Sequence, residues 1–149
     1  MSTPNANPSD RATIAGVINP QSLAPGSAST GWVSMATYSA VQGVVVVGAI
    51  TATGTVDAKL EQATSAAGAG AKDVTGKAIT QLTAAGTDSN KQAVLNCGAE
   101  ELDVNNAFTH VRLTVTTAAA AALVAGLLLG HDARYQPATD ATTVDEVVA

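Results

Sequence analysis

Two stretches of the chain alternate strictly between apolar and polar positions. Over residues 56–62, Val56, Ala58 and Leu60 fall on one side, while Asp57, Lys59 and Glu61 fall on the other. Successive side chains of a strand point to opposite faces, so this pattern predicts a half-buried β-strand. Residues 109–115 repeat it, with Val111, Leu113 and Val115 opposed to His110, Arg112 and Thr114, and their β-branched content supports a strand. Residues 41–50 form a denser β-branched run, broken by Gly43 and Gly48. The turn residues centred on Thr53-Gly54 then suggest a hairpin into the strand at 56. Shorter strands are predicted over 77–82 and 92–96, with loops over 66–71 and 84–90.

Residues 118–129 read two ways. Ala and Leu favour a helix; the shortness of the run, its Gly126 and its lack of a polar face favour a strand. Such a strand would be a central one, buried on both faces or covered by a neighbour. A hairpin around 117–120 would pair it antiparallel with 109–117. Seven or eight short strands across 31–132 correspond to an all-β, jelly-roll-like β-sandwich. The first thirty residues contain Pro4, Pro8, Pro20 and Pro25 among polar residues, with a short apolar patch at 14–18. They are expected to form an extended N-terminal arm, followed by a sandwich domain over 31–133 and a C-terminal tail over 134–149.

Composition sharpens the picture of the core. Hydrophobic residues make up 46% of the chain, but 31 of its residues are Ala, which bury little area each. The core is therefore expected from Val41, residues 44–47, Ile50, Leu60, Ile79, Leu82, Val94, Leu95, Val111, Leu113, Val115, Leu123, Val124 and residues 127–129. That supply is modest, and burial at a subunit interface would add to it. Aromatic residues are limited to Trp32, Tyr38, Phe108 and Tyr135. Trp32 opens the expected domain as either a core anchor or an interface residue. Arg134 and Tyr135 belong to residue types enriched at binding hot spots. With Trp32 and the outward-facing Arg112, they are the candidate interface residues.

The formal net charge is −5, with seven scattered basic residues, which argues against a nucleic-acid partner. The single cysteine, Cys97, excludes an intramolecular disulfide and reads as a buried small hydrophobe. The N-terminal residues lack a signal-peptide pattern, and the longest apolar run is far shorter than the ~20 residues a membrane-spanning helix needs. A soluble protein made in a host cytoplasm, without a membrane partner, is expected.

No catalytic, metal or cofactor constellation emerges. His110 and His131 do not share ligand spacing with Cys97 or Asp132. A Cys97–His110 pair lacks any supporting motif. Gly68-Ala69-Gly70 is neither a phosphate loop nor a dinucleotide fingerprint. Glu100, Glu101 and Asp103 read as an acidic turn, and Asp103, Asn105 and Asn106 are too few for a calcium loop. A noncatalytic protein without cofactor is expected.

The stretches Tyr38-Ser-Ala-Val-Gln-Gly-Val-Val-Val-Val-Gly-Ala-Ile and Val56-Asp-Ala-Lys-Leu-Glu-Gln-Ala, with Val111-Arg-Leu-Thr-Val and Gly130-His-Asp-Ala-Arg-Tyr-Gln-Pro, resemble small head-associated proteins of tailed bacteriophages over residues 31–137. The chain departs from that pattern at 66–71, where an acidic-Gly-Ser/Thr-Trp turn is missing, and in its Ala-rich 118–125. The resemblance implies a structural virion protein on the capsid surface, a cement or decoration protein bound to a major capsid protein and forming a dimer or trimer. It also favours strand over helix at 121–129. A head–tail connector, tail terminator or tail-tube component is the alternative.

Overall fold

The computed structural model describes residues 6–148. After a single helical turn at Pro8–Arg11, the chain forms ten strands: β1 (Ala12–Leu23), β2 (Gly26–Ser29), β3 (Val33–Ser34), β4 (Tyr38–Ile50), β5 (Thr55–Ala63), β6 (Lys72–Ala78), β7 (Leu82–Thr83), β8 (Gln92–Gly98), β9 (His110–Ala118) and β10 (Ala122–Ala133). Two sheets result. Sheet A runs β1-β10-β4-β8; sheet B runs β2-β9-β5-β6, with β3 beside β9 and β7 beside β5.

All pairings are antiparallel, and the principal ones are nested about the β5–β6 connection. β5 pairs with β6, β4 with β8, β2 and β3 with β9, and β1 with β10. The chain is thus one long antiparallel ribbon, folded back at β5–β6 and wound so that successive pairs fall on alternate sheets. That winding is the jelly roll, an all-β solution that packs two sheets around one core.

The two alternating segments became β5 and β9, neighbours at the centre of sheet B. Their inward residues Val56, Leu60, Val111, Leu113 and Val115 are fully buried. Val41, Val45, Val47, Leu95, Val124 and Leu128 of sheet A face them in the same core. The inner surface of sheet A carries two glycines where Leu113 projects. A Cβ at Gly43 would lie 3.2 Å from Leu113 Cδ1, and one at Gly126 would lie 3.1 Å from Leu113 Cδ2. Leu113 is a knob filling a dent that only glycine leaves open.

Four sequence expectations are corrected. Residues 51–54 and 118–121 do not close hairpins: they carry the chain from β4 in sheet A to β5 in sheet B, and from β9 in sheet B to β10 in sheet A. Thr53 and Ala119 take positive φ, 71° and 65°, at these crossings. Residues 122–129 are strand, not helix, and β10 is central between β1 and β4. The N-terminal segment is extended but does not hang free. β1 pairs with β10 from Ala12↔His131 to Leu23↔Ala122, and β2 pairs with β9, so the sheets begin before residue 31. Residues 1–5 of the expected arm lie outside the described residues. The tail returns along β1, where Ile14 N donates to Asp140 Oδ1 at 2.8 Å and Ala141 N donates to Ile14 O at 2.7 Å. Finally, Val44, Val46, Val94, Leu123, Leu127 and Leu129, expected in the core, lie outside it.

Candidate functional site

The residues displaced from the core define the most distinctive surface. β4 and β10 are apolar at nearly every position, so turning one face inward leaves the other face apolar too. The register places Val17 opposite Leu127, Leu127 opposite Val44, and Val44 opposite Val94. These four form an aliphatic row across the outer side of sheet A. Ala125 and Val46, paired with each other, extend it on one side, and Ile14 and Leu129 on the other. Leu123 covers Gly48, whose Cβ would meet Leu123 Cβ at 2.9 Å. Val46, Val94 and Leu123 are 45%, 55% and 49% exposed. Within the sheet the polar neighbours in these rows are uncharged, with Gln42 Nε2 donating to Asn96 Oδ1 at 3.1 Å and Gln92 beside Val46; the Asp140 carboxylate meets only the β1 edge, at Ile14 N.

The outer side of sheet B is the opposite in chemistry. Lys59 pairs with Asp73 at 2.7 Å, and Arg112 Nε donates to Glu61 Oε1 at 3.0 Å. Hydroxyl pairs Ser27–Thr116 and Ser29–Thr114, both 2.8 Å, continue the polar surface. An antiparallel sheet commonly packs one side and wets the other. Sheet B conforms; sheet A carries a contiguous uncharged apolar surface, the kind that marks an interaction site.

The four predicted interface residues lie elsewhere. Arg112 stacks over Trp32, its guanidinium carbon 4.5 Å from the ring centroid. A Cβ on Gly68 would meet Trp32 Nε1 at 2.6 Å, so the indole is held between that loop and Arg112. Arg134 and Tyr135 follow β10. Tyr135, 91% exposed, borders an open cleft of about 640 Å³ together with Trp32 and Asp140. Arg134 borders another, of about 560 Å³, with Met35 and Phe108. The structure therefore joins Trp32 to Arg112 and places neither on the outer face of sheet A.

The chemical candidates are dispersed. Cys97 is buried in β8, and burial pushes its thiol up to about 11, so it is not a thiolate at neutral pH. His110 opens β9 in the other sheet, where Nδ1 and Thr109 Oγ1 share a 2.9 Å hydrogen bond. Lys77 at 2.8 Å, with the Gly98 amide, holds the Glu101 carboxyl below its usual range. Lys72 and Asn106 do the same for Asp103. Among the described residues, no group of three or more His, Cys, Asp or Glu side chains could hold a metal ion. No helix among them is long and apolar enough to cross a membrane.

No family model and no curated protein matches the chain. Its fold matches solved structures. A chain of the cryo-EM atomic structure of broad bean stain virus aligns with a TM-score of 0.50 at 10% identity, covering 97% of this chain and 100% of that one. A chain of naturally occurring empty cowpea mosaic virus particles (top component) gives 0.40 at 10% identity, covering 91% and 92%. A chain of infectious bursal disease virus, Gx strain, gives 0.38 at 13% identity, covering 87% of this chain and 32% of that one. The first likeness shows the same fold from end to end. It overturns the resemblance to tailed-bacteriophage head proteins, and with it the cement or decoration assignment. The motifs behind that resemblance are β4, β5, β9 and the end of β10, so they report jelly-roll strand patterning.

Proposed function

We propose that this chain is a noncatalytic structural subunit of a virus-type protein shell, working by packing against other protein subunits. One observation carries the reading: the jelly roll, matched over its whole length by a chain of a virus particle, presents a four-strand aliphatic face that its own described residues leave open. Burying such a face against another subunit releases water from apolar surface, the dominant driving force of association. Among the described residues, the aliphatic row carries no charged side chain to desolvate, a cost that would fall heavily on sheet B. Arg134 and the exposed Tyr135 are proposed as secondary contacts beyond the end of β10, while Trp32, between β2 and β3, stacks with Arg112 of β9. Location in a virion follows from the same reading.

Sedimentation and negative-stain electron microscopy of the purified full chain test this. Particles of uniform size are expected as concentration and salt rise, since salt screens the repulsion between subunits of net charge −5. A chain that stays a small, discrete species under all those conditions overturns the reading.

A further inference from the structure

The occupant of the apolar face can be specified. We infer that the outer side of sheet A docks against the same face of a second copy of this chain, forming a two-fold symmetric, sheet-on-sheet dimer. The inference rests on the reading of that face as the subunit contact and deepens it by naming the partner.

Three features of the face support self-pairing. The first is area. Four strands spaced about 4.8 Å apart, rising about 3.3 Å per residue, give an aliphatic patch of roughly 20 Å by 20 Å between Leu123 and Leu129. That is about 400 Å² in projection, and a standard interface buries about 800 Å² per partner around an apolar centre with a polar rim. The uncharged side chains Ser22, Gln42, Gln92 and Asn96 flank the patch and supply such a rim. The second is charge. Two chains of formal net charge −5 repel, yet no ionised group lies in the row Val17, Leu127, Val44, Val94 or beside Val46. Two copies can meet there without burying a charge.

The third is complementarity within the molecule. A head-to-tail contact of sheet A with the outer side of sheet B would desolvate Lys59, Glu61, Asp73 and Arg112 against aliphatic side chains. Desolvating even paired charges carries a penalty that aliphatic side chains across the interface do not offset. Of the two outer sheet faces, the one that matches an uncharged aliphatic sheet is sheet A itself. A patch that matches itself closes as an isologous two-fold pair and stops there. Facing sheets pack about 10 Å apart with their side chains interdigitated, which puts the central row of one copy into that of the other.

Sedimentation equilibrium of the full chain, below the concentration at which larger particles form, provides the test. The wild type is expected to be a dimer. Val46→Lys combined with Val94→Lys places four ammonium groups in the symmetric interface and is expected to weaken dimerisation by at least about 100-fold. Both positions are about half exposed, so far-UV circular dichroism of the monomer should match the wild type, while its thermal midpoint should be independent of protein concentration and lie below that of the wild-type dimer. Thr116→Lys on the outer side of sheet B serves as the control and should leave the dimer intact.

A wild type that is monomeric throughout overturns the inference, as does a dimer indifferent to the two lysines. A face that takes a different protein would give the first of these results. Monomers that nevertheless build particles would refute this dimer and leave the proposed function standing. Dimers that never build particles would do the reverse.

Discussion

Removing Leu113 tests whether the two sheets are locked by the knob and dent described above. Leu113 is fully buried, and Leu113→Ala deletes three carbons, worth about 2.4 kcal/mol at ~0.8 kcal/mol each. The cavity left behind adds to this in proportion to how little the surroundings collapse. Here collapse is poor, because the facing positions on sheet A are Gly43 and Gly126, which have no side chains to move in. The expected loss is about 4 kcal/mol, toward the upper part of the range for buried leucines. Gly43→Ala alone should change stability by under about 1 kcal/mol. Its Cβ would press on Leu113 and Leu60 methyls at 3.2 and 3.5 Å, a mild overpacking offset by the lower strand cost of Ala. In the Leu113→Ala background the same methyl enters vacated space and should recover about 1 kcal/mol, so the two changes couple. Urea denaturation at one protein concentration measures all three variants, since association shifts the midpoint. A loss below about 1.5 kcal/mol for Leu113→Ala, or strict additivity in the double variant, would refute the knob-and-dent account.

Two further predictions concern single side chains. Arg112→Ala should red-shift the fluorescence of Trp32, the chain's sole tryptophan, and cost about 1 kcal/mol by removing the stacked guanidinium and its bond to Glu61; an unchanged spectrum would detach the two residues. Burial raises the Cys97 thiol from 9.0 to about 11, so the unfolded chain loses this proton before the folded one does. The stabilising contribution is therefore fully present below pH 9 and lost as pH rises through about 11. The urea midpoint should fall over that window in the wild type and fall less in Cys97→Val; equal falls would remove Cys97 as the cause.

What the sequence revealed depended on whether a strand has one dry face or two. β5 and β9 alternate, so their inward residues could be named from spacing alone, and Leu60, Leu113 and Val115 are where the pattern puts them. β4 and β10 are apolar on both sides, and periodicity gives such a run no inward direction. Val44, Val46 and Leu127 were expected inside for that reason, although they face out. β1 was hidden differently. Its apolar residues Ile14, Val17 and Ile18 are sparse, interrupted by Gly16 and followed by Pro20. Its partner β10 lies more than a hundred residues along the chain, and pairing at that distance overrides weak local preference. The two supposed hairpins failed because a turn's composition does not say whether the chain stays in its sheet or crosses to the other.

The same property bears on function. An aliphatic run buried on both sides belongs in the middle of a layered structure, and the jelly roll supplies a layer on one side only. For β5 and β9 that suffices, since their outer residues are charged or hydroxylic and paired among themselves. For β4 and β10 the winding brings two such runs, from opposite halves of the chain, side by side at the centre of sheet A. Their outer residues then add up to a surface that neither run would present alone. Solubility does not call for aliphatic side chains at Val46, Val94 and Leu123, where Thr, Gln or Lys would keep the strand and wet the face. Internal packing does not call for them either, since none of the three joins the core. A second layer over sheet A would use all three, and the proposed subunit contact supplies one.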